Sequence, residues 1–123
     1  MRAWLAIAAV VLAAGWGCSA PFQYLTVREE MRRAERFMEW GLVYFNSWMR
    51  DRDPRYLNLA REHTERAVGT YFYMQIDLGH SYPDFYVMDK RRRRGCRFLR
   101  EIDAAALRNR VTLSSSEREG CLK

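Results

Sequence analysis

Apolar side chains recur at helical spacing over three long stretches of this 123-residue chain, and strong breakers interrupt them at only two places. The first break is Asp51-Arg52-Asp53-Pro54, and the second runs from Gly79 through His80, Ser81, Tyr82 and Pro83 to Asp84. A period of about 3.6 residues is the signature of helices, since strands alternate every second residue. The pattern therefore predicts an all-α fold: a small up-down bundle of three helices, at about 26–50, 54–78 and 84–109, with consecutive helices packed as antiparallel hairpins.

Local signals set the expected boundaries. Thr26 followed by Glu29 has the capping-box spacing that starts a helix. Met31, Ala34, Met38, Gly41, Leu42, Phe45, Trp48 and Met49 form its apolar stripe, with Arg28, Arg32, Glu35, Arg36 and Glu39 on the opposite face. Asp53 suits an N-cap and Pro54 a first helical turn. Tyr56, Leu57, Ala60, Thr64, Ala67, Val68, Tyr71 and Met74 make the second stripe, which Gly79 should end. The stretch Gly69–Ile76 is dense in β-formers, but no partner strand exists elsewhere, so helix is the reading. Phe85, Met88, Arg92, Cys96, Leu99, Ile102 and Ala106 mark the third stripe. Gly95 lies in its middle, costs about 1 kcal/mol relative to alanine and suggests a kink. With 49% hydrophobic and 14% aromatic residues, disorder is excluded through the middle and the core should be rich in rings. Residues 111–123, with Ser114-Ser115-Ser116, read as a loose polar tail.

The N-terminus carries a different message. Arg2 precedes an uncharged run from Ala3 to Gly15, which is shorter than the roughly 20 apolar residues that span a bilayer. It reads as an export signal. Its end, Gly15-Trp16-Gly17-Cys18, resembles the lipobox of bacterial lipoproteins, matching at Gly17 and Cys18 and departing at Gly15 and Trp16. The resemblance implies cleavage before Cys18, a diacylglyceryl group on its sulfur and a periplasmic protein held at a membrane. Ser19 resembles the sorting pattern of the outer rather than the inner membrane. The organisation expected is a signal over 1–17, a tether over 18–25, a helical domain over 26–110 and the tail over 111–123. An ordinary secretory signal, cut near Ala14-Gly15 or after Ala20, and a retained inner-membrane anchor are the alternatives. Of three cysteines, lipidation of Cys18 would leave Cys96 and Cys121, which then either pair or stay as two thiols.

A second resemblance lies within the first hairpin. Phe37, Trp40, Gly41 and Tyr44, with Ala60 and Ala67, have the spacing of a tetratricopeptide repeat, in which small residues let two helices approach closely. Thr64 departs from the pattern, as does a longer turn, and the third helix does not repeat it.

The chain carries a net charge of +6, and Lys90-Arg91-Arg92-Arg93-Arg94, with Arg97 and Arg100, concentrate its positive charge. Export argues against nucleic acid, leaving a protein partner or anionic lipid. Consecutive arginines spread around a helix, so they cannot share one surface. Arg92 falls near the apolar stripe and should pair with an acidic residue of a neighbouring helix, for which Glu35, Glu39, Glu62 and Glu65 are candidates. Arg91, Arg93, Arg94, Arg97, Tyr71 and Tyr73 are the candidate partner contacts. No metal site is expected, because His63 and His80 lack ligand spacing and Asp77, His80 and Asp84 suit a turn. Cys96 has no evident base, and no glycine-rich phosphate loop or nucleophile elbow appears, so neither catalysis nor a cofactor is expected. The function expected is a lipid-anchored interaction or scaffolding component of a bacterial cell-envelope assembly. The alternative is a periplasmic small-ligand accessory with an arginine and aromatic pocket. A hollow with converging arginines favours the latter, and a filled core with exposed rings the former.

Overall fold

The structure, a computed structural model, describes residues 19–114 and 119–121. The segment ending at Cys18, on which the export and lipobox expectations rest, lies outside those residues. The described residues form three helices, α1 (Ser19–Asp51), α2 (Pro54–Leu78) and α3 (Phe85–Arg108), followed by a 3-10 turn at Glu119–Cys121 and no strand. The fold is the all-α bundle that the periodicity predicts. Central α2 packs against both α1 and α3, while α1 and α3 touch only sparsely.

Two boundaries follow the local signals closely. Asp53 caps α2, its carboxylate accepting the Arg55 backbone N–H at 3.0 Å, and Pro54 opens the first turn. Gly79 ends α2 at a positive φ of 76°, a conformation open to a residue without Cβ, and its N–H reaches the Gln75 carbonyl at 3.0 Å. The start of α1 differs from expectation. The helix begins at Ser19, so Thr26 and Glu29 sit inside it and the expected tether is helical. Pro21 permits this, because in a first turn its missing N–H would have had no partner. The far ends of α1 and α3 close on arginines in the left-handed region, Arg52 at φ 57° and Arg110 at φ 56°. Arg52 donates its N–H to Trp48 O at 2.7 Å and lays its guanidinium over the Trp48 ring. Val111 N–H reaches back to Ala106 O at 2.9 Å, a Schellman closure that turns Val111 onto the core.

The core divides along the bundle into two clusters. Ala34, Tyr71, Met74 and Met88 pack near the α2–α3 turn. Trp48, Leu57, Ala60, Val68, Phe98, Leu99, Ile102, Ala105 and Ala106 fill the other end. Close backbone approaches hold these layers together. A Cβ on Gly41 would lie 2.3 Å from Thr64 Oγ1 and 3.3 Å from Ala60 O, so α1 and α2 cross where only glycine fits. A Cβ on Gly95 would lie 2.5 Å from a Val68 methyl. Thus Gly95 is a contact point, and α3 runs helical through it. The tail is less loose than its composition suggests. Val111 and Leu113 pack on the core, the Ser114 N–H donates to Asn58 at 3.2 Å, and Gly120 lies against Val68 and Phe72.

Candidate interaction surfaces

Part of the basic run is tied into the fold by ion pairs. Arg91 pairs with Glu35 of α1. Arg92 does not take an acidic residue from a neighbouring helix, as its position suggests. It finds Asp89 one turn back at 2.8 Å, Gln75 Oε1 of α2 at 2.9 Å and the Gly120 carbonyl of the tail. Gln75 uses the other end of its amide on Asp89 at 3.2 Å, and Arg93 donates to the second Asp89 oxygen at 3.0 Å. Hydrogen bonding from Arg92, helped by Gln75 and Arg93, holds the Asp89 carboxyl below the usual carboxylate range against the opposing pull of burial. A helix-spaced aspartate thus reaches Arg92 before any glutamate across the bundle. Arg94 and Arg97 remain exposed.

Tyr71, expected at a partner surface, is instead only 1% exposed. It lies on the α2 stripe that faces inward, and burial pushes its phenol up, with Arg91 pulling it back. Tyr73, two residues on, points the other way and is 57% exposed. Spacing also offered two residues that sequence reasoning passed over. Arg61 is buried on the α2 stripe and donates to Glu65 at 2.9 Å, an (i, i+4) pair. Gln75 is buried as the joint between α2 and α3.

Because α1 packs mainly on α2, part of its apolar stripe is left over. Ala34, Gly41 and Trp48, seven residues apart, form the buried line against α2. Leu42 and Met49, flanking that line, remain 47% and 52% exposed. Leu42 borders a cleft between α1 and α3. Its central hollow measures about 280 Å³, with Tyr71 as floor, Met38 and Leu42 as apolar lining, and Glu39 facing Arg94 across the walls. The Glu35–Arg91 pair also lines it, and separates it from a second hollow of about 340 Å³ that contains Arg28, Arg32 and Val87. Farther along, Phe45 meets Phe98 edge-on at 5.3 Å.

A different surface covers the other side of the α1–α2 hairpin. Phe37 and His63 lie 6.0 Å apart, Tyr44 and His63 5.2 Å, and Trp40 and Tyr44 5.7 Å, forming a run of rings. Beside it is a hollow of about 580 Å³ with Gly69 and Tyr73 on α2, Glu30 and Asp77 toward the α2–α3 turn, and Arg33 and Arg66 beyond them.

The residues weighed for chemistry lie apart. Cys96 is bonded to Cys121, with Cα atoms 5.5 Å apart. His63 Nδ1 lies 2.9 Å from the Leu59 carbonyl, and His80 stacks on Phe85 at 4.3 Å. Among the described residues, no group of three histidine, cysteine or acidic side chains is placed to hold a metal ion. No family model matches the chain, and neither a curated protein nor a solved structure matches it significantly.

Proposed function

We propose that this protein is an exported adaptor, lipid-anchored through Cys18 at the periplasmic face of a bacterial membrane, the outer one being favoured. Its α1–α3 cleft receives an amphipathic helix from a protein of the cell envelope. The observation that carries this reading is the surplus of the α1 stripe: Leu42 stands half-exposed beside a cleft whose floor is already sealed by Tyr71. A helix laid there would complete a four-helix arrangement, burying its apolar face on Met38 and Leu42 and matching Glu39 and Arg94 with opposite charges. Glu35 and Asp89 engage Arg91, Arg92 and Arg93, and the carboxylates of Glu35 and Glu39 on the same cleft favour a protein partner of mixed charge over a lipid or polyanion surface.

The small-ligand alternative draws on the same 280 Å³ hollow with Arg91 and Arg94. Glu35 and Glu39 on the facing wall counter it, because an acidic ligand would meet as many carboxylates as guanidinium groups. Photo-crosslinking from position 42 in producing cells separates the two. The adaptor reading predicts one protein adduct that disappears when Glu39 and Arg94 are both reversed in charge. Mass spectrometry of the mature chain should give a diacylated N-terminal Cys18. An unlipidated chain beginning elsewhere overturns the anchor, and the absence of any protein adduct overturns the adaptor.

A further inference from the structure

The face of α2 opposite the cleft has properties that folding alone does not account for. Its outward stripe carries the exposed residues Glu62, Arg66, Tyr73, Ile76 and Asp77 at helical spacing, with half-buried Gly69 among them. Gly69 is the odd member. Gly41, Gly95 and Gly120 each sit where a Cβ would strike a neighbour, whereas a Cβ on Gly69 would meet nothing within 4 Å. A glycine inside a helix weakens it relative to alanine, and here no contact within the chain requires one. What Gly69 does is deepen the 580 Å³ hollow, next to the exposed ring of Tyr73 one turn away. The stripe thus holds a recess and a projecting ring side by side.

We propose that this face joins two copies of the chain as an antiparallel, twofold-symmetric dimer. Each copy seats Tyr73 over Gly69 of the other. A twofold axis perpendicular to α2, running between the two copies level with Tyr71, exchanges positions 69 and 73 and brings Asp77 opposite Arg66, because the two pairs are placed almost symmetrically about that level. The exposed Arg66 guanidinium pairs with Glu62 at 2.8 Å within its own chain and would be shared with the incoming carboxylate. On α1 the order of charge is the same, with Glu30 at the Asp77 end of the hollow and Arg33 nearer Arg66. Charge selects the orientation. An axis along the helix would set Arg66 on Arg66 and Asp77 on Asp77, whereas the crossing axis sets opposite charges face to face. Such an isologous interface uses each contact twice and closes at two copies. Since Tyr71 is two residues, about 200° of helix, from both Gly69 and Tyr73, the α1–α3 clefts point away from the interface. The dimer therefore stands independently of the docking proposal and would present two clefts.

Sedimentation of the full chain in mild detergent across a concentration series tests it. The expected result is a reversible species of two chains. Arg66→Glu alone or Asp77→Lys alone should weaken it about tenfold, through two symmetry-related repulsions, and the double variant should restore it. Gly69→Leu should fold with an unchanged or higher Tm and lose the dimer. One chain mass at every concentration overturns the proposal, as does self-association indifferent to all four variants. Crosslinking from position 42 that persists in Gly69→Leu would show that the cleft proposal survives the loss of this one.

Discussion

The seam between α1 and α2 and the cleft between α1 and α3 draw on one apolar stripe and end in opposite states. On the seam side, Gly41 brings α1 within contact of Ala60 and Thr64, both fully buried, and Thr64 satisfies its hydroxyl on Ala60 O at 2.7 Å. On the cleft side, Leu42 waits half-exposed, and α1 reaches α3 through long side chains such as Phe45 and Glu35. The lesson is that small residues, more than apolar ones, decide where two helices close. An apolar stripe wider than its partner leaves a groove, and in this protein that groove is the candidate docking site.

Filling the seam should do the most damage. Gly41→Leu forces atoms into space held by Thr64 and the Ala60 carbonyl, and chemical denaturation should show a loss of about 3 kcal/mol. Opening the Cys96–Cys121 bond by Cys→Ser substitution at both positions should rank next or close to it. The bond spans 25 residues and its loss should cost about 3 kcal/mol, less if the tail keeps its Val111 and Gly120 contacts. If removal left Val68 and Phe72 as protected as before in hydrogen exchange, the tail would be clipped to the core by packing alone. The smaller third effect is on pH. Asp89 has a carboxyl held below its ordinary range, so its contribution is fully present above about pH 4 and is lost as pH falls through the folded value. An acid titration of stability should therefore be shallower below pH 4 in Asp89→Asn than in the parent chain.

How much of this was readable beforehand depends on what each residue type signals locally. The boundaries of α2 were legible because Asp53, Pro54 and Gly79 act through their own side chain or its absence. The ends of α1 and α3 fall within one residue of where the periodicity stops, although Arg52 and Arg110 close them in a conformation that sequence patterns reserve for glycine or asparagine. Thr26 and Glu29 had capping geometry but no break before them, and the helix simply ran through. Periodicity marked Tyr71, Leu42 and Met49 alike as stripe residues. It could not say which of two neighbouring helices would cover each one, so the burial of Tyr71 and the exposure of Leu42 emerged only from the packing. Arg92 lies near the core edge, as its position in the stripe implies, but its long side chain has too many acidic residues within reach for spacing to choose Asp89.

The separation between seam and cleft is tested most directly by Leu42→Glu, followed in two readouts from one preparation. Its Tm and its crosslinking from a probe at position 38 should come apart. The expected result is a Tm close to that of the parent chain and loss of the envelope-protein adduct. A fall in Tm as large as that of Gly41→Leu, with the adduct unchanged, would contradict it.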